Sequence, residues 1–135
     1  MEGQNMYGFS VTFNGSYEKA ITRVTEELAK EGFGILTEID VKATLKKKLD
    51  IDKRPYIILG ACNPNLANKA IDAEPDIGLL LPCNVVVREE EDSSITVAFM
   101  DPQAVMQLVQ HPDVHELAKE VKGKLERVRD GLNAE

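Results

Sequence analysis

Several things are scarce in this sequence. It has no tryptophan, two cysteines and two histidines among 135 residues. Lysine and arginine number 16 against 23 aspartates and glutamates, a net charge of −7. Such a surface repels phosphate backbones, so nucleic acid is not an expected partner. The one basic cluster, Lys46-Lys47-Lys48 with Lys53 and Arg54, is short and reads as a solvated helix face. No apolar run approaches the roughly 20 residues of a bilayer span. Leu79-Leu80-Leu81 stops at Pro82, and the opening "MEGQNMYGF" lacks a basic stretch followed by an apolar one. The expectation is a cytoplasmic protein, away from membranes, whose cysteines stay reduced.

Catalytic signatures are missing too. Neither "NGS" nor "GACNP" matches a phosphate-cradling glycine loop or a dinucleotide fingerprint, and no Gly-x-Ser-x-Gly occurs. Paired carboxylates could lie among the 23 acidic residues, but spacing favours no pair. Whether the chain is an enzyme stays open, and no motif names a cofactor.

What is present is an ordinary globular balance, 43% hydrophobic and 29% charged, at a length that suits a single domain over residues 1–135. Tyr7, Phe9, Val11 and Phe13 alternate with small residues, which predicts a half-buried strand. Asn14-Gly15 turns the chain, and Ser16 offers an N-cap to a helix carrying Tyr17, Ala20, Ile21, Val24 and Leu28, stopped by Gly32. "FGILTEI" reads as a strand leading to Asp40, the cap of a short helix with Val41, Leu45 and Leu49 on one side. "YIILGAC" is apolar enough for a strand buried on both faces. Pro64 opens a helix to about residue 73. "GLLLPCNVVVRE" predicts a strand or bent pair, with Pro82 at an edge, end or bulge, and "SITVAFMD" its hairpin partner.

The last third is helical. Asp101 caps a helix opened by Pro102, with Val105, Met106, Leu108 and Val109 as its apolar residues. A long stripe follows Pro112: Val114, Leu117, Ala118, Val121, Leu125, Val128 and Leu132. Met100 and Met106 read as core filler. Strands separated by helices, a hairpin and a long covering helix give an α+β, two-layer fold.

The motifs "TLKKKL", "ILGACNP.LA", "GLLLPCNVVV" and the Asp101-Pro102 pair, taken together, resemble a bacterial and archaeal family known as domain of unknown function 302. The resemblance implies a two-layer sandwich, a curved and mainly antiparallel sheet backed by helices, of TATA-binding-protein-like architecture. It also implies a homodimer. It supplies no reaction, and fold analogy cannot supply one.

Both cysteines sit in Cys-Asn pairs, Cys62-Asn63 and Cys83-Asn84, and these four residues are the candidate ligand or thiol site. Each cysteine follows apolar or proline neighbours and fits a small core residue. Against that, Cys62 ends a strand just before the Pro64 helix, where a helix N-terminus favours a thiolate. Antiparallel neighbours would also bring the end of "YIILGAC" beside the start of "CNVVVRE". The cysteines are therefore expected in one neighbourhood. Asn63 or Asn65 reads as a local turn or cap residue.

Cys62, Cys83, His111 and His115 have the donor types of tetrahedral zinc. Pro112 pushes His111 out of the helical region, however, so the one-face geometry of a helical His pair is lost and the bland reading of capping or surface histidines is preferred. Three classes remain. The first and favoured is a small dimeric module that binds a small molecule or partner. The second is a thiol-dependent redox or metal-binding protein using Cys62 and Cys83. The third is a structural or interaction domain.

Overall fold

The computed structural model describes residues 2–134. Strands β1 (Glu2–Gln4), β2 (Gly8–Phe13), β3 (Gly34–Asp40), β4 (Tyr56–Cys62), β5 (Cys83–Glu89) and β6 (Ile95–Met100) form one sheet in the order β1-β2-β6-β5-β4-β3. Every neighbouring pair is antiparallel. The helices are α1 (Tyr17–Lys30), α2 (Val41–Leu49), α3 (Pro64–Ala73), α4 (Pro102–Val105) and α5 (Pro112–Gly131), with 3-10 segments at Pro75–Leu80 and Met106–Leu108. The fold is the expected two-layer α+β sandwich.

Capping chemistry sets most helix starts. Ser16 Oγ accepts from Lys19 N–H, Asp40 from Ala43 N–H, Asn63 from Leu66 N–H, and Asp101 from both Gln103 and Ala104 N–H. Gly32 closes α1 at φ +86, a left-handed conformation that glycine adopts without a Cβ clash.

One face of the sheet carries the core. Phe9, Val11 and Phe13 of β2, Ile95, Val97 and Phe99 of β6, Val85 and Val87 of β5, and Leu59 and Ala61 of β4 meet Ala20, Val24 and Leu28 of α1 and Leu125, Val128 and Leu132 from the end of the chain. A smaller cluster joins Ile77, Met106, Val114 and Ala118. Phe9 and Phe99 stack with ring centroids 5.4 Å apart.

The opposite face is different. The ladder registers align Ser10, Ala98, Val86, Ile58 and Ile39 in one row across it. The row beside it holds Thr12, Thr96, Arg88 and Tyr56. Neither hydrophobic cluster draws on this face.

Some expectations need correcting. Tyr7 shares the parity of Phe9 but precedes the strand and is 68% exposed. Leu79-Leu80-Leu81 does not extend a strand. Pro75 opens a 3-10 segment there, and β5 begins only at Cys83, after a cis Leu81-Pro82 bond. Strand β4 is not sealed on both sides: Leu59, Gly60 and Ala61 are buried, whereas Tyr56, Ile57 and Ile58 are half-buried. Helix α2 buries none of its residues, and Leu49 projects into solvent. Leu108 is likewise exposed, because α4 ends after one turn and the 3-10 segment rotates it outward. β1 carries no apolar alternation and exists through its pairing with β2.

Candidate functional site

A cavity of about 340 Å³ lies where β4 ends and β5 begins. Strand alternation aims Ala61 and Cys83 at it, and the two residues are ladder partners. Helix α3 supplies Leu66, Ala67 and Ala70, the Pro75–Leu80 segment supplies Ile77, and the first half of α5 supplies Val114, Leu117, Ala118 and Val121. Phe33, Leu36 and Met106 complete much of the wall. The small side chains of α3 leave the space: alanine at positions 67 and 70 stands where a larger residue would fill it.

A β-bulge shapes the rim. The β3–β4 register shifts between Ile35 and Thr37, leaving Leu36 without a ladder partner; it is 66% exposed and lines the cavity. Gly60 permits this close packing. A Cβ there would collide with Thr37 Oγ1 and come within 2.8 Å of Pro82 Cγ. A glycine inside a strand was the available sequence signal for such an approach.

The structure brings Cys62 and Cys83 together. Both thiols are free and both residues border this cavity, although alternation along β4 turns Cys62 to the opposite side of the strand from Ala61, the ladder partner of Cys83. Cys62 is half-buried and Cys83 buried. Burial pushes the Cys83 thiol up to about 11, and the neighbouring Cys62 adds to the shift. Cys83 is therefore a neutral thiol near neutral pH.

The two asparagines part company. Asn63 lies on the cavity wall and caps α3: its Oδ1 accepts from Leu66 N–H at 3.3 Å and its Nδ2 donates to the Glu31 carbonyl at 3.2 Å. Asn84 follows Cys83 in the strand and so points to the other face, where it is exposed in a shallow groove with Ser10, Val86 and Arg88. It is not part of the cavity.

The four-ligand metal set does not assemble. Among the described residues no three His, Cys, Asp or Glu side chains converge as metal ligands. His111 is the N-cap of α5, its Nδ1 accepting from Asp113 N–H. His115 Nε2 lies 2.6 Å from the Val109 carbonyl, a local contact. The lysine run of α2 is solvent-facing, and Lys46 is engaged by Asp50 and Asp52. Among the described residues no helix is long and apolar enough to cross a membrane.

Comparison with known proteins agrees with this architecture. An uncharacterised protein of Aquifex aeolicus (strain VF5) is 29% identical over 62% of this chain and 76% of its own length. The crystal structure of an uncharacterised conserved DUF302 protein from Bacillus stearothermophilus superposes with a TM-score of 0.88 at 27% identity, covering 96% of this chain and all of the other. The model of the family described as "Domain of unknown function DUF302" matches residues 9–132, so the chain belongs to that family.

Proposed function

We propose that this chain is a small cytoplasmic binding module whose ligand is a compact apolar molecule held in the cavity between the β4–β5 end of the sheet and helices α3 and α5. The observation that carries this is the cavity itself, about 340 Å³ and lined almost wholly by apolar side chains. Ligand sites of small molecules have this size and composition, with a few polar groups to orient the guest. Here Asn63 and the Cys83 thiol are those groups. A structural or interaction domain has no need of such a space. Thiolate chemistry has less support, because Cys83 holds its proton near neutral pH.

The test uses 1-anilinonaphthalene-8-sulfonate as probe. The folded protein should bind it saturably at one site, and Ala67→Phe or Ala70→Phe should weaken it about tenfold or more while the circular dichroism is kept. Equal binding by the filled variants would refute the cavity as the site.

The reading includes a homodimer formed through the open sheet face. In a chain of net charge −7, the two rows across that face carry one charged residue, Arg88, and Glu90 accepts hydrogen bonds from it at 3.0 and 3.2 Å. Such a neutral, partly apolar face suits contact with its own copy, since a charged one would repel it. Sedimentation should find a dimer that Val86→Lys converts to monomer. A monomeric parent protein would refute this part.

A further inference from the structure

We infer that a second, polar pocket, between α5 and the stretch formed by α4 and the Met106–Leu108 segment, binds a small hydroxycarboxylate. The pocket measures about 400 Å³ and is lined by Asp101, Gln103, Gln107, His115 and Lys122, with Ala104 and Ala118 between them. Of these residues only Ala118 also borders the apolar cavity.

Helical spacing builds the pocket. His115, Ala118 and Lys122 stand three and then four residues apart on α5 and so share one face. Gln103 and Gln107 stand about one turn apart across the junction of α4 and the 3-10 segment. The same elements give the apolar cavity Pro102, Met106, Val114 and Val121. The residue next to each in sequence, namely Gln103, Gln107, His115 and Lys122, faces the polar pocket. The seam between α4 and α5 thus has an apolar side and a polar side.

An ion pair closes the floor. Asp101 is only 6% exposed. Its Oδ1 accepts from the Gln103 and Ala104 N–H groups at 3.0 and 3.2 Å, and its Oδ2 from Lys122 Nζ at 2.9 Å. The carboxylate is thereby satisfied, whereas the ammonium carries three N–H groups and spends one of them on it. A structural tie between the two helices accounts for that bond. It does not account for the free polar groups around it. Among the described residues the side-chain amides of Gln103 and Gln107 hold no hydrogen bond, since Gln103 is engaged through its backbone alone. His115 Nε2 donates to the Val109 carbonyl at 2.6 Å, because a carbonyl can only accept. In the neutral ring that leaves Nδ1 as an acceptor.

These groups sort the guests. A carboxylate takes charge-assisted hydrogen bonds from the Lys122 ammonium and further ones from the two amides. A hydroxyl on the same molecule can donate to His115 Nδ1. A dianion such as inorganic phosphate fits poorly, because Asp101 already balances the Lys122 charge and the chain carries −7.

This goes beyond the apolar-ligand reading and uses a different pocket, so either can fail alone. The experiment titrates the full, isotope-labelled chain with lactate and follows the amides by two-dimensional NMR. We expect saturating shifts confined to Gln103, Ala104, Gln107, His115, Ala118 and Lys122. Acetate, which lacks the hydroxyl, should bind about threefold more weakly, and lactamide, which lacks the charge, about tenfold more weakly. Phosphate should bind weakest. Gln103→Leu and Gln107→Leu, at exposed positions, should keep the fold and each weaken lactate by about three- to tenfold. Lys122→Met should weaken it by about tenfold or more. Should that variant fail to fold, because Asp101 is left buried without its partner, the two glutamine variants carry the same test. His115→Phe should abolish the advantage of lactate over acetate. Absence of saturable shifts up to about 0.1 M lactate, shifts away from these residues, equal affinity for lactamide, or unaltered binding by both glutamine variants would overturn the site.

Discussion

Cys83 is the ladder partner of Ala61 and therefore stands one residue out of register with Cys62, yet the two thiols differ in access: Cys62 is half-buried and Cys83 only 7% exposed. Native protein treated with a maleimide near neutral pH should label at Cys62 alone, with Cys83 reacting only after unfolding. Rapid native labelling of Cys83, located by peptide mass spectrometry, would contradict its placement in the wall.

The same burial has an alkaline consequence. Unfolding returns the Cys83 thiol from about 11 to the ordinary range near 9.0. Between these values the unfolded chain loses the proton and the folded chain keeps it. The folded state binds more protons, so stability is complete below the unfolded value and falls as pH rises toward 11. The loss is on the order of 2–3 kcal/mol. Urea unfolding across this range should show a shallower decline for Cys83→Ala than for the parent. Identical slopes would mean that the thiol is solvated.

Gly60→Ala should destabilise the protein by about 1–3 kcal/mol, because the new methyl meets Thr37 Oγ1 and Pro82 Cγ at once. Removing the hydroxyl with Thr37→Ala should recover part of this, leaving the Pro82 contact. A neutral Gly60→Ala in thermal unfolding would contradict the tight β3–β4 packing.

In α5, Leu125 is fully buried in the main cluster, and Leu125→Ala should cost about 2–5 kcal/mol. Leu117, from the same apolar stripe, is half-buried on the cavity wall, so Leu117→Ala should cost less. The denaturant midpoints of the two variants check the order. Equal losses would mean that the cavity is not there.

These two leucines also show how far the sequence could be read. The stripe from Val114 to Leu132 announced a covering helix, because helical spacing is a local property. It could not say that the first half of the helix borders a cavity and the second half a filled core. That difference depends on the alanines of α3, distant in sequence. The alternation of Phe9, Val11 and Phe13 marked β2, but alternation alone ran on to Tyr7, where the ladder had not begun. Leu79-Leu80-Leu81 looked like strand because short apolar runs do not distinguish strand from a tight helical turn. The neighbouring positions of Cys62 and Cys83 were legible once their strands were taken as antiparallel neighbours, but the register that sets Ala61 rather than Cys62 opposite Cys83 was not. The opposite fates of Asn63 and Asn84 were not, since they turn on Asn63 leaving the sheet as a helix cap while Asn84 stays within a strand.

The most direct measurement of the central claim is a two-dimensional NMR titration of the labelled protein with 1-anilinonaphthalene-8-sulfonate. The account predicts saturating shifts confined to the cavity: the amides of Cys62, Cys83, Ala67, Ala70, Val114 and Ala118 and the methyl of Met106. Ser10, Val86 and Ala98 on the opposite face should stay still. Shifts concentrated on that open face, with the cavity residues unmoved, would contradict it.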